Sequence, residues 1–179
     1  MVGAVLLRGV VVPGERCPDV TSGQAIGAAT ASAGWMTRVQ RDDGSYLYEF
    51  DVNSGQPSTD YNAVRHAGVT LALYELAESG QFDAYAPADE GLRWEMAHLH
   101  RVQGAAGLDD PYNGEISLGG TALALAGLAH RRLATDEATY DTLMHQLAGF
   151  ILLMQRGDGS FLSEWDRATD MPYPNETST

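Results

Sequence analysis

The sequence predicts an all-α fold of antiparallel helical hairpins joined by long, turn-rich loops. Three observations predict it: apolar residues recur at helical spacing, capping residues stand where such runs begin, and one loop motif occurs twice.

Residues 1–20 contain Val10-Val11-Val12-Pro13-Gly14, a β-branched run stopped by a turn signal, and are read as an extended lead-in. The first helix is expected over Ser22 to Val39, alanine-rich and capped by Thr21 or Ser22. The second follows Ser58-Thr59-Asp60 and runs to about Glu78, ending at Ser79-Gly80. The third begins near Pro87, a favourable first-turn residue, and sets Leu92, Met96, Leu99 and Val102 on one stripe. Ser117 caps the fourth, which runs to about Leu133. The fifth follows Asp136 and carries Tyr140, Leu143, Met144, Leu147, Ile151 and Met154 at helical spacing. Short links join the second helix to the third and the fourth to the fifth, so each pair reads as a hairpin. The remaining connections are loops of roughly 14 residues or more, the length at which loops carry function.

At 179 residues the chain reads as a single domain, 1–179, with helices over 21–179. Its 11 basic and 24 acidic residues give a formal charge of −13, which disfavours nucleic acid and anionic membrane as partners. No apolar stretch is long enough to insert into a bilayer, and the N-terminus lacks the basic region of a signal peptide, so a cytoplasmic protein is expected. Cys17 is the only cysteine, which excludes an internal disulfide and a zinc site built from several thiolates. His98 and His100, two apart on the third helix, point to different faces. Neither a metal nor a cofactor is expected.

The repeat is the most specific signal. Residues 40–51, QRDDGSYLYEFD, match 155–166, QRGDGSFLSEWD, at a constant offset of 115. The differences are Asp42/Gly157, the aromatic exchanges Tyr46/Phe161 and Phe50/Trp165, and Tyr48/Ser163. A second match at offset 52 sets Gly68, Leu71, Ala72, Leu73 and Leu76 on Gly120, Leu123, Ala124, Leu125 and Leu128, with Gln103 on Gln155. Gln40, Gln103 and Gln155 then mark successive copies. A unit of this size cannot bury its own apolar face, so copies must pack side by side.

Residues 149–155, GFILLMQ, followed by Gly159-Ser160-Phe161, resemble the QW repeat of squalene cyclases and related α/α-toroid proteins. Trp35 through Gln40, with Gly44 and Tyr46, resemble a second, weaker copy. The resemblance implies part of an α/α toroid, with the glutamine capping a neighbouring helix and the aromatic stacked on it. A toroid of six or so hairpins would need further ones from the rest of a longer protein or from a homo-oligomer, and the run 175–179 reads as a truncation. The sequence departs from two branches of the superfamily. Neither Asp42-Asp43 nor Asp109-Asp110 completes the Asp-x-Asp-Asp acid of the terpene cyclases, and Cys17 has no prenyltransferase zinc context. Carbohydrate-active toroids, the six-hairpin glycosidases and uronyl epimerases, require neither motif. The resemblance implies the fold and leaves the reaction open. An aromatic and acidic loop set beside Asn62, Arg65 and His66 leads to the expectation of an enzyme acting on a sugar, a uronic acid or a lipid-linked glycan at the open end of the barrel.

Two stretches are candidates for the site. In the first, Tyr61, Asn62, Arg65 and His66 open the second helix beside the loop carrying Tyr46, Tyr48 and Asp51. His66 serves as general acid or base, or is a satisfied core histidine; Arg65 holds a carboxylate or phosphate, or pairs with Asp51 or Asp60. In the second, Asp109, Asp110 and Glu115 supply paired carboxylates with Tyr112 as a sugar platform, or form an ordinary turn. Tyr46, Tyr48, Phe50, Phe161 and Trp165 line the loops, against a sugar or isoprenoid or in the seam between hairpins. An isoprenoid cyclase and a non-catalytic interaction module are the rival readings.

Overall fold

Alanine-rich α1 (Ser22–Arg38) begins at a capping box in which Thr21 and Gln24 satisfy each other's backbone N–H groups. The computed structural model describes residues 19–173 and the backbone of 177–178; the lead-in through residue 18, Cys17 and residues 174–176 and 179 lie outside it. Four further helices follow: α2 (Ala63–Glu78), α3 (Tyr85–Ala97), α4 (Leu118–Thr135) and α5 (Asp141–Leu153). The expected ends of α1 and the Ser117 cap of α4 hold. The cap of α2 is Asn62, not the Ser58-Thr59-Asp60 run.

The all-α expectation is overturned. The protein is mixed α and β, with short strands paired in small antiparallel sheets between the helices. Strands β1 (Phe50–Asp51) and β2 (Gln56–Pro57) form one hairpin, β3 (Leu99–Val102) and β4 (Ala105–Leu108) a second. Strand β5 (Glu115–Ser117) pairs with β7 (Glu164–Asp166), which in turn pairs with β8 (Met171–Pro172). Strand β6 (Phe161–Leu162) pairs with the backbone of 177–178. The expected third-helix stripe fails at its C-terminal half, because α3 ends at Ala97 while Leu99 and Val102 lie in β3. Gln103 and Gly104 both hold positive φ, 51° and 82°, and close a two-residue hairpin turn. Gln103 is therefore a turn residue and no equivalent of Gln40 or Gln155.

The helical hairpins themselves are present. Helix α2 buries Ala63, His66, Ala67, Thr70, Leu73, Tyr74 and Ala77, a stripe of period three to four, and packs chiefly against α4. Val64 lies near Gly120, Leu71 near Gly127, and His130 pairs with Glu75 and Glu78, so the two helices run parallel. Helix α3 runs back along α2, with Gly91 near Thr70 and the Tyr74 hydroxyl on Asp89. Helix α5 returns along α4, where Arg132 near the end of α4 meets Asp141 at the start of α5. A second core of Val102, Ala105, Ile116, Phe150, Met154, Leu162 and Trp165 fixes the strands against α5.

The repeated turn is a structural repeat. Arg41 N–H donates to Ser45 and Gly44 N–H to Arg41, as Arg156 does to Ser160 and Gly159 to Arg156. Asp43 accepts from the Ser45 backbone and hydroxyl, and Asp158 does so from Ser160. The match continues past the sequence identity. Asp51 caps Asn53 and Ser54 as Asp166 caps Ala168 and Thr169, and β1–β2 corresponds to β7–β8.

Candidate functional site

The N-terminus of α2 is where the turns converge. Its first N–H groups need acceptors. The Asn62 side chain takes the Arg65 N–H at 2.9 Å, and the Asp110 carboxylate takes the Ala63 N–H at 3.0 Å. The other oxygen of Asp110 accepts from Tyr112 N–H at 3.0 Å. Asp110 is buried with both oxygens bound to backbone. It clamps the turn before β5 to the start of α2 and is not poised for acid chemistry.

His66, on the buried face of the next turn, is held from both sides. Its Nδ1 lies 2.7 Å from the Tyr61 hydroxyl and its Nε2 2.9 Å from the Gly91 carbonyl. A carbonyl only accepts, so Nε2 carries the hydrogen, Nδ1 accepts from Tyr61, and Tyr61 accepts in turn from Tyr46 N–H at 2.8 Å. A Cβ at Gly91 would stand 2.4 Å from both Thr70 Oγ1 and the Tyr46 hydroxyl, which is why α3 comes close enough for this bond. Burial lowers the His66 pKa to about 4, against the raising effect of the Gly91 bond. Burial likewise raises Tyr61 to about 12. The imidazole stacks on Trp94, centroids 4.2 Å apart, and Trp94 stacks on His98 at 3.9 Å. Of the two readings for His66, the geometry is that of the satisfied core histidine.

Arg65 faces outward. Its guanidinium lies 4.8 Å above the Tyr48 ring, and Glu49 is 3.9 Å away across an exposed pair of little strength. Neither Asp51 nor Asp60 pairs with it. Arg65 and Tyr48 border an open cleft of about 170 Å³ whose other walls include Trp35, Leu47, Tyr61, Asn62 and Val69. Trp35 is 48% exposed there. A larger hollow of about 460 Å³ lies against Glu49 and the β1–β2 hairpin, but its polar groups are those of the hairpin itself. Asp51 is spent on that hairpin, its pKa lowered by the Ser54 hydroxyl bond and the turn N–H groups.

The structure thus gathers Tyr46, Tyr48, Tyr61, Asn62, Arg65 and His66 around one cleft, with exposed Tyr112 leaning on Tyr61 at 5.8 Å. It leaves Trp165 in the second core, bonded through Nε1 to Asp170, and Glu115 on Asn113. Asp109 pairs with Arg167 at 2.7 Å, while its other carboxylate oxygen is buried without a hydrogen-bond partner among the described residues. Sequence reasoning used Trp35 only as part of the repeat. It also passed over Glu95, buried in α3, whose pKa burial raises to about 8. Glu95 stands three residues after Leu92 and four before Leu99, on the apolar stripe, and that placement was its signal. No grouping of metal-ligating side chains occurs among the described residues, and no helix there is long and apolar enough to cross a membrane. No protein-family model matches the chain, and no curated protein matches it.

Proposed function

We propose that the cleft between α1 and α2 binds a sugar bearing a carboxylate, a uronic acid unit of a glycan, as a recognition subsite of a carbohydrate-active helical-repeat protein. The observation that carries this reading is the Arg65 guanidinium held on the face of Tyr48 beside the exposed Trp35 ring. Aromatic faces take the apolar face of a pyranose, and a fixed guanidinium takes a carboxylate through two parallel hydrogen bonds. The likeness of the two turns supports kinship with the α/α-toroid proteins, in a chain that also carries β-hairpins. The formal charge of −13 favours a glycan over a nucleic acid as partner, and a cytoplasmic protein belongs to the same proposal.

Within the cleft the chain supplies orientation and charge, since the His66 nitrogens and the Tyr61 hydroxyl are occupied. An epimerase or hydrolase reaction on the bound sugar would need a proton carrier other than these. An open cleft of about 170 Å³ with a charged rim speaks against the isoprenoid reading, which requires a deep apolar chamber. The interaction-module reading draws support from the exposed apolar side chains of Ile26, Leu133 and Leu152. Titration with glucuronate and with glucose, read by tryptophan fluorescence and by heat, separates these proposals. The expected result is binding of glucuronate over glucose, lost in Arg65→Ala and in Trp35→Ala while both variants stay folded. Equal binding of the two sugars, or glucuronate binding that survives Arg65→Ala, overturns the assignment.

A further inference from the structure

Two hollows meet at one ion pair. Tyr48 and Arg65 border the cleft, Glu49 lines the larger hollow beside it, and Glu49 Oε1 lies 3.9 Å from Arg65 Nη1. The chain from Tyr48 to Phe50 therefore runs between them. Ser58 N–H donates to the Glu49 carbonyl at 2.9 Å and carries the β1–β2 pairing up to this divide.

The hollow differs from the cleft in size and in charge. It holds about 460 Å³ against about 170 Å³, and the ionisable groups on its walls are the carboxylates of Glu49 and Asp51. Glu49 stands beyond hydrogen-bond length from Arg65, so its carboxylate can accept from a ligand. The exposed Gln56 amide offers a donor and an acceptor. Ser58 Oγ accepts from Asp60 N–H at 3.0 Å and keeps its own hydrogen to donate. Phe50, 52% exposed, stands across the ladder from Pro57 and supplies an apolar wall. These groups suit the hydroxyls and the C–H face of a pyranose. Two carboxylates on the walls disfavour an acidic ring there, as Arg65 favours one in the cleft.

The geometry points to a second sugar subsite in this hollow, for a neutral hexose joined to the uronic acid held in the cleft. The ligand is then an acidic glycan in which uronic and neutral units are neighbours, with the bond between them crossing at the Glu49–Arg65 pair. The inference rests on the sugar reading of the cleft and adds the unit next to it.

The test titrates the full chain with glucuronate, with the β-linked glucuronosyl-glucose disaccharides cellobiouronic and laminaribiouronic acid, and with β-linked diglucuronate, read by heat. At least one of the glucuronosyl-glucose disaccharides should bind tighter than glucuronate by on the order of ten-fold, the gain of a further hydrogen bond or two. Phe50→Ala and Gln56→Ala, both at exposed positions, should remove that gain while leaving glucuronate affinity and thermal unfolding unchanged. Diglucuronate should show no gain. Glucuronate binding with no gain from either disaccharide, a gain that survives both variants, or an equal gain from diglucuronate would overturn the subsite and leave the cleft reading standing. Absence of glucuronate binding would overturn the cleft reading itself, and the subsite with it.

Discussion

The Tyr61 hydroxyl and His66 Nδ1 stand 2.7 Å apart, with the hydroxyl proton on the bond between them. That contact ties the loop before α2 to its first turn, and the Gly91 carbonyl on the opposite nitrogen ties α2 to α3. His66→Ala leaves a hydroxyl and a carbonyl without their partner and opens a cavity under Trp94. The expected loss is about 3 kcal/mol in urea denaturation. The same substitution should leave glucuronate binding measurable wherever the variant remains folded.

The pH dependence of His66 has a definite sign. Its pKa is about 4 folded and 6.5 unfolded, so the unfolded chain binds more protons between those values. The stabilisation is complete above about pH 6.5 and is lost as the pH falls toward 4. The stability difference between the protein and His66→Ala should shrink by roughly 3 kcal/mol over that interval.

Glu95 titrates in the opposite sense. Burial raises its folded pKa to about 8 from 4.5, so its contribution is complete below pH 4.5 and lost as the pH rises through 8. Glu95→Gln removes the ionisation while keeping the shape. The variant should match the protein near pH 4 and exceed it increasingly as the pH rises, by on the order of 4 to 5 kcal/mol at pH 9 in urea unfolding.

Asp110 separates a structural carboxylate from a catalytic one. Asp110→Ala orphans the N–H groups of Ala63 and Tyr112, at an expected cost of about 2 kcal/mol. Any change in ligand affinity should track that loss of folded protein. An Asp110→Asn variant that folds normally but abolishes a reaction would assign it to chemistry instead.

Gln40 and Gln155 hold the same place in the repeat, and their described surroundings differ. Gln40→Ala loses its bond to the Pro87 carbonyl and should cost about 1 kcal/mol. Gln155→Ala, at an exposed position, should fall within roughly 0.5 kcal/mol of the parent. Paired denaturation curves measure both.

The helices were legible because their caps and stripes are local. Thr21 with Gln24, Ser117, and the stripe through Leu147 act within a turn or two of sequence. The β3–β4 hairpin was not, because Leu99 and Val102 extend the helical spacing of Leu92 and Met96. What ends α3 is strand pairing, which helical spacing does not encode: Asp109 N–H bonds the His98 carbonyl at 2.8 Å, next to the β3–β4 ladder. In the site, the polar cluster from Tyr61 to His66 was visible, but which of its members face outward was not. Helix α2 begins at Ala63, so Tyr61 and Asn62 precede it, and the face that His66 presents is decided by Gly91 on another helix. The matching motifs at 40 and 155 announced equal turns and could not announce that, among the described residues, the first is the one seated against a helix.

The most direct test of the account is a 15N spectrum of the His66 ring, recorded from pH 5 to 8 with and without glucuronate. The account predicts a neutral ring with the hydrogen on Nε2 throughout, unmoved by the ligand, while Arg65 resonances shift. A His66 that titrates near pH 6.5, or that carries its proton on Nδ1, would contradict it.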